Sequence, residues 1–300
     1  MLINFTKMHG AGNDFIVIDD RDDSFKSSES ELAKRLCHRR FSVGADGIIF
    51  LRRGISTESL VSMHYFNADG SYAGMCGNGI RVTAWYFYKR IDDSHDSFFI
   101  DVDGEPRAVT VKQETELRAM VSVNMGVPSL KLWEIPAVVN GKSLEDEHID
   151  SPIALLPDYA PNCTLVSMGN PHCVIFVHPD EITDELVLGR GREIERAIYI
   201  FPERVNVEFA VIHEGKTDTD LEGPFVTARV YERGVGETWA CASGASAIVV
   251  AGVLAGKLPM GKEIPVSLLG GTLLVSFEGR GSPVYLRGPA EFSFEGSVEV

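Results

Sequence analysis

Hydrophobic residues in this chain fall mostly into short runs of period two, punctuated by Gly, Asn, Asp and Pro, the pattern of strands joined by tight turns. Ile3 to Met8 and Phe15 to Asp19 read as strands around the loop HGAGND, and Ser30 to Arg39 as a helix with Ser28 or Ser30 as N-cap. Gly44 to Gly47 then turns into a strand over Ile48 to Arg52, followed by another over Ser62 to Phe66. Asn78 to Lys89 is a helix, and Phe98 to Val102, Arg107 to Gln113 and Arg118 to Asn124 are strands. After a break at Met125 to Pro128 the plan recurs. Thr164 to Met168 and Cys173 to Val177 flank a GNPH turn, Asp184 to Ala197 is a helix, and Asn206 to Ile212 and Phe225 to Tyr231 are strands. A helix over Gly244 to Leu254 and strands from Ile264 to Val275 and from Val284 onward complete the chain. The helices Asn78 to Lys89 and Gly244 to Leu254 are apolar nearly all round, so each belongs at the centre of a core.

The fold class expected is α/β (α+β): two pseudo-symmetric domains from an internal duplication, each a mostly antiparallel sheet wrapped around a central apolar helix. The duplication is visible in the residues. Laying Cys241 on Cys76 aligns YERGVGETWACASGAS (231 to 246) with FNADGSYAGMCGNGIR (66 to 81) without a gap and puts Gly244 on Gly79. Upstream of each thiol lies a Gly-Asn pair before an apolar strand, Gly12-Asn13 and Gly169-Asn170. The expected halves are residues 1 to 125, joined by a returning strand of about 289 to 300, and residues 126 to 288.

A lone cysteine in a glycine-rich turn is ordinarily a small packed residue. Two of them, each at a helix start where free amides and the helix dipole favour thiolate, point to two thiols acting on one ligand from opposite sides.

Composition narrows the function. Acidic residues number 43 against 28 basic, a net charge of −15 with no basic cluster read to interrupt it, so nucleic acid is not expected as a partner. The opening MLINFTKMHG lacks the apolar stretch of a signal peptide, and Ala245 to Ala255 is far shorter than the roughly 20 residues of a membrane span, so a cytoplasmic protein without membrane association is expected. The five cysteines, an odd number without regular spacing, read as reduced thiols, and no C-x-x-C or H-E-x-x-H supports a metal. The G-x-G of HGAGND lacks a third glycine and an acidic partner, so a dinucleotide site is a weak reading.

Paired thiols of this kind suit proton transfer at carbon: one takes a proton and the other returns one on the opposite face, inverting a stereocentre. A substrate carboxylate could rest on the amides of Gly77, Asn78, Ala242 and Ser243, which would stabilise charge developing beside it. No lysine sits in a Schiff-base motif and no cofactor loop is present, so no cofactor is expected.

KMHGAGNDF (7 to 15), FNADGSYAGMCGNGIR (66 to 81), SMGNPH (167 to 172), ERVN (203 to 206) and YERGVGETWAC (231 to 241) resemble the signature blocks of diaminopimelate epimerase, in order over nearly the whole chain. The resemblance implies cofactor-independent interconversion of LL- and meso-diaminopimelate, in the route to lysine and peptidoglycan, by an enzyme of two α/β domains with substrate in the cleft between them. It assigns the bases to Cys76 and Cys241, supporting roles to His172 and Glu232, and contacts with the distal amino-acid end to Asn13, Asn67, Asn170, Asn206 and Arg233. Carboxamides and a guanidinium match an ammonium and a carboxylate. The chain departs from the family in Ala242-Ser243, where a glycine often follows the second cysteine, in Val82 and Ser246, where many relatives have cysteines, and in Gly47, where some offer substrate a glutamine. The alternatives are a proline or hydroxyproline racemase of the same fold and, from another class, a cysteine hydrolase using Cys76 with His172 as base. A homodimer is compatible with the sequence.

Overall fold

The computed structural model describes residues 1–216 and 221–300 and is a chain of mostly strands with few helices. It divides into two compact units, Met1–Asn124 with Arg287–Val300, and Met125–Leu286.

The elements of the first unit are β1 (Leu2–Gly10), β2 (Asn13–Asp19), α1 (Glu29–Leu36), β3 (Gly47–Arg53), β4 (Ser59–Asn67), β5 (Tyr72–Ala73), α2 (Gly77–Arg90), β6 (Ser97–Val102), β7 (Glu105–Gln113) and β8 (Arg118–Gly126). The second contains β9 (Ser151–Pro152), β10 (Asn162–Ser167), β11 (Pro171–Phe176), a π-helical turn Glu185–Arg190 running into α3 (Gly191–Glu195), β12 (Asn206–Lys216), β13 (Glu222–Glu232), β14 (Gly236–Thr238), α4 (Ala242–Leu254), β15 (Ile264–Leu268) and β16 (Gly271–Phe277). The final strand, β17 (Val284–Glu299), leaves the second unit and enters the first.

Strand pairing carries the repeat. In the first unit β1–β2 is antiparallel, β2–β3 parallel, β3–β4 antiparallel, β4–β6 parallel and β6–β7 antiparallel. In the second, β10–β11, β11–β12, β12–β13, β13–β15 and β15–β16 follow the same alternation. A two- or three-residue strand hangs on the edge before each central helix, β5 on β4 and β14 on β13. The first sheet closes: β7 pairs with β8, β8 with β17, and β17 runs antiparallel to β1 from Leu2 to His9. The result is a barrel with α2 inside it, packed against β1, β2, β3, β4, β6 and β7.

Strands β2, β3, β10 and β11 are buried on both faces, whereas β7, β8 and β13 alternate buried with more exposed positions. Period two sorts their residues. Ile16, Ile18, Ile48 and Phe50 face outward onto Leu32, Ala33 and Leu36 of α1, while Ile49 lies against the start of α2. In the second unit Cys173, Ile175, Val207 and Phe209 join an outer cluster with Val187, Ile194 and the buried Leu132, Ile135 and Leu155 of the segment before β10. The intervening residues His172, Asn206 and Glu208 face the other way, and α4 packs on that side against β10, β11, β12 and β16. β-branched residues are mediocre helix formers, yet α4 is rich in them; apart from Ser243 it is buried from Ala242 to Val253, so packing outweighs propensity.

Local departures from the sequence reading have local causes. The HGAGND loop is a two-residue hairpin turn, with Ala11 and Gly12 at φ 53° and 84°, the twist that such a turn requires. Helix α1 stops at Leu36 because the amides of Gly44 and Ala45 take the carbonyls of Leu36 and Cys37. Ser28 stands at the N-cap, but its hydroxyl donates to the Phe25 carbonyl and caps nothing. The stretch from Ile264 to Val275 folds back at Leu269 and Gly270 into two strands.

Candidate active site

Each central helix begins on a cysteine. Cys76 is the N-cap of α2, in extended conformation at φ −147°, and its Sγ accepts from the Gly79 amide at 3.3 Å. Cys241 is the N-cap of α4 at φ −114°, its Sγ accepting from the Gly244 amide at 3.3 Å. The thiol takes the place that Ser or Asp usually fills, so sulfur sits at the positive end of a helix dipole. Glycine three residues on leaves room for close approach, more tightly at Gly244 than at Gly79. A Cβ on Gly79 would stand 3.2 Å from Met63 Sδ, and one on Gly244 would stand 3.0 Å from Glu208 Oε1 and 3.1 Å from Cys241 Sγ.

Around the first thiol, polar side chains form a chain. Asn13 donates through Nδ2 to Asp46 (2.8 Å) and accepts from Asn78 Nδ2 (3.0 Å); Asn78 Oδ1 accepts from Arg81 (2.9 Å). Asp46 and Asp14 are both held by Arg39, and Asp14 also by Lys7 at 2.6 Å. Burial raises the Asp14 carboxyl, but hydrogen bonds from Arg39 and Lys7 overrule it and leave Asp14 far below the usual carboxylate range. Asn67 ends β4, its amide donating to Ser71 Oγ at 2.9 Å. Gly77 and Asn78 form the buried first turn of α2. Gly47 has no room for the side chain it replaces, because even a Cβ would lie 2.3 Å from the Tyr65 ring.

The second thiol lies in a different chemical setting. His172 and Glu208 are both wholly buried, with Nδ1 to Oε1 at 2.6 Å, and His172 Nε2 meets Asn170 Oδ1 at 2.8 Å. Asn170 in turn donates to Ser243 Oγ at 3.3 Å, and Ser243 Oγ lies 3.5 Å from Cys241 Sγ. Glu232 is hydrogen-bonded to Thr238 and to Cys241; burial pushes its carboxyl up. Burial, with the carboxylates of Glu232 and Glu208 nearby, pushes the Cys241 thiol well above the ordinary range. Asn206, buried, donates to the Pro171 carbonyl at 2.9 Å and accepts the Arg233 amide at 2.9 Å. The Arg233 guanidinium is exposed and donates to the Glu203 carbonyl at 3.2 Å. Ala242 is buried at the first turn of α4.

Three residues escaped the sequence reading. Glu208 orients His172, and its signal was a lone carboxylate in the apolar strand NVEFAVI, two residues from Asn206 and so on the same face. Glu195, also buried, accepts from the Gly234 amide at 3.0 Å and holds the turn carrying Arg233. Arg81 is the third. The reading that no basic cluster interrupts the acidic chain needs correction as well: Lys34, His38, Arg39 and Arg40, with Phe41, line an open pocket of about 530 Å³ around the C-terminal end of α1. Cations suit that end of a helix, and Arg39 is already bound to Asp14 and Asp46. Among the described residues no group of three metal-binding side chains converges and no helix is long and apolar enough to cross a membrane.

The family model for diaminopimelate epimerase matches residues 5–131 and 164–293, one segment for each half of the repeat. The chain belongs to the diaminopimelate epimerase family. It is 38% identical over 301 residues to the diaminopimelate epimerase of Leptospira biflexa, covering all of both chains, and 36% identical to that of Methanocaldococcus jannaschii, covering 99% and 98%. Solved structures share the fold at low identity. A hydroxyproline epimerase from Agrobacterium vitis superposes with a TM-score of 0.68 at 12% identity over 99% of this chain and 91% of that one. A phenazine biosynthesis protein of the PhzF family from Bacillus anthracis does so with 0.65 at 15% over the whole of both. The diaminopimelate epimerase family model thus spans the elements that carry both thiols.

Proposed function

We propose that this protein interconverts LL- and meso-diaminopimelate, without a cofactor, by a two-base mechanism in which Cys76 and Cys241 each serve one face of the α-carbon. The observation that carries the reading is the repeat of one device: a thiol at the N-cap of a buried helix in each half of a duplicated chain. Inversion at carbon needs one acceptor and one donor. A thiolate removes the α-proton, the electron pair left behind delocalises into the α-carboxylate, and the opposing thiol delivers its proton to the other face. Amides of Gly77 and Asn78 and of Ala242 and Ser243 are the donors suited to that carboxylate as its negative charge grows. His172, held by Glu208, and Glu232, bonded to Cys241, support the second thiol. Asn13, Asn67, Asn170, Asn206 and Arg233 take the distal ammonium and carboxylate, and that double polar demand favours diaminopimelate over a proline-type substrate. The step belongs to lysine biosynthesis, and the reducing cytoplasm is the compartment in which both cysteines stay free.

The test is direct. Purified protein with dithiothreitol, and with neither pyridoxal phosphate nor metal added, should exchange the α-hydrogen of LL-diaminopimelate with deuterium from solvent and form the meso isomer. Exchange on proline in place of diaminopimelate would overturn the substrate assignment.

A further inference from the structure

Arg81 is wholly buried on α2, inside the first unit, and burial pulls its guanidinium down to about 10. Its partners are neutral oxygens: the Gly77 carbonyl at 3.3 Å, Asn78 Oδ1 at 2.9 Å and the Pro289 carbonyl at 3.2 Å. Long side chains on a helix lean toward its N-terminus, and this one reaches the first turn, where Cys76 is the N-cap. The barrel is shaped around it. Gly10 closes the first hairpin without a side chain, and a Cβ there would stand 3.1 Å from Arg81 Nη2.

Among the described residues, most carboxylates and cations around α2 have partners other than Arg81. Lys7 and Arg39 are bound to Asp14, and Arg39 also to Asp46. Asp20 takes Arg52, Asp101 accepts from Ser56 and Ser59, and Asp103 accepts from Tyr72 at 3.3 Å. Burial pushes His64 down, which keeps it neutral, and His9 carries a buried Nδ1 without a partner. Among the charges of this unit that act on Arg81, the one that favours its protonated form is the thiolate of Cys76. A bare buried cation is costly, and an anion beside it relieves that cost. In the second helix the residue aligned with Arg81 is Ser246, whose hydroxyl bonds back to the Ala242 carbonyl at 2.9 Å. Within its own unit Cys241 faces Glu208 on β12 and Glu232 on β13, with His172 on β11.

We propose that Arg81 is a positioning residue whose buried charge makes Cys76 the thiolate of the resting enzyme and leaves Cys241 protonated. This rests on the two-thiol reading above and deepens it. The resting enzyme is then set to take the proton from the isomer whose α-hydrogen faces Cys76, and must exchange protons with solvent before it is set for the other. Arg81 also fixes Asn78, whose amide belongs to the carboxylate-binding turn, so charge and geometry come from one side chain.

The experiment needs no substrate, so it stands apart from the assignment of diaminopimelate. The variants Cys241→Ser and Cys76→Ser, each keeping one of the two helix-start thiols beside Cys37, Cys163 and Cys173, are alkylated with iodoacetamide across pH 5 to 10, and the peptide carrying the remaining helix-start thiol is quantified by mass spectrometry. Cys76 should reach half-maximal reactivity below the free-cysteine value of about 8.5, and Cys241 above it. Adding Arg81→Met should raise the Cys76 midpoint by about one pH unit or more, as loss of an adjacent opposite charge requires, and leave the Cys241 midpoint unmoved. Arg81→Lys, which keeps the charge, should restore most of the shift. A lower midpoint for Cys241 than for Cys76 in these two variants overturns the proposal even if Arg81→Met fails to fold. So does an unmoved Cys76 midpoint in a folded Arg81→Met protein. If the midpoints come out as expected but diaminopimelate is not turned over, the substrate reading fails and the role of Arg81 stands.

Discussion

The starts of α2 and α4 are the same piece of backbone in opposite electrostatic settings. Both have an extended N-cap cysteine whose sulfur takes the amide of a glycine three residues on at 3.3 Å. Near Cys76 lies the buried Arg81 guanidinium, with no carboxylate partner among the described residues; around Cys241 lie Glu232 and Glu208, the latter paired with buried His172. The repeat carries a thiol at each helix start, and the groups around the two thiols differ. A two-base reaction needs that inequality, because two thiolates have no proton to give and two thiols have no base.

The largest expected effect breaks the comparison outright. Cys76→Ala and Cys241→Ala should each lower epimerisation by about a thousandfold or more, since each removes an acid or base from one face. With a substrate bearing a β leaving group, each variant should still eliminate from the single isomer whose α-hydrogen faces its remaining thiol. Epimerisation at the unmutated rate by either variant sinks the two-base reading.

Next in size is the His172–Glu208 pair beside the second thiol. Glu208→Ala leaves His172 Nδ1 buried without its acceptor, which should lower stability by about 1 to 3 kcal/mol and cut kcat more than KM. Denaturant titration and steady-state kinetics measure the two, and an unchanged kcat would make the pair merely a packing feature. Arg233→Lys loses the planar two-point grip on a carboxylate. Because the guanidinium is exposed in this structure, the affinity loss should lie near the low end of the range for unpairing a charge, about 2 kcal/mol. It should appear as a raised KM.

Smaller effects sharpen the comparison. Gly244→Ala pushes a methyl against Glu208 Oε1 and Cys241 Sγ, both part of a rigid polar cluster, whereas in Gly79→Ala the methyl meets the flexible end of Met63. The first should cost at least tenfold in kcat and the second little, with each helix gaining up to about 1 kcal/mol in propensity. Equal losses would mean that the two thiols tolerate displacement alike. Smallest is an effect of acid on the first unit. The folded-state pKa of Asp14 is depressed, so the stability from its links to Arg39 and Lys7 is fully present above the unfolded value of about 3.9 and is lost as pH falls below it. Asp14→Asn should remove that part of the pH dependence, visible as a flatter profile of melting temperature between pH 5 and 3.

The sequence by itself determined the strands, the two central helices, the repeat and the family, because these are written in local patterns: period two, all-round apolarity, glycine spacing, and blocks of residues in order. Cys76 and Cys241 were legible for the same reason, each preceding the first helical residue. What only the tertiary structure decided is which side chains share a face and a hydrogen bond across strands far apart in the chain. Glu208 became the partner of His172 through the parallel pairing of β11 with β12, which sets His172 opposite Asn206. Closure of the first barrel depended on β17 reaching β1 from the far end of the chain. Arg81 reads in the sequence as an ordinary helical arginine; that no carboxylate among the described residues pairs with it is a property of the barrel interior, where burial removes the water that would otherwise screen it from Cys76.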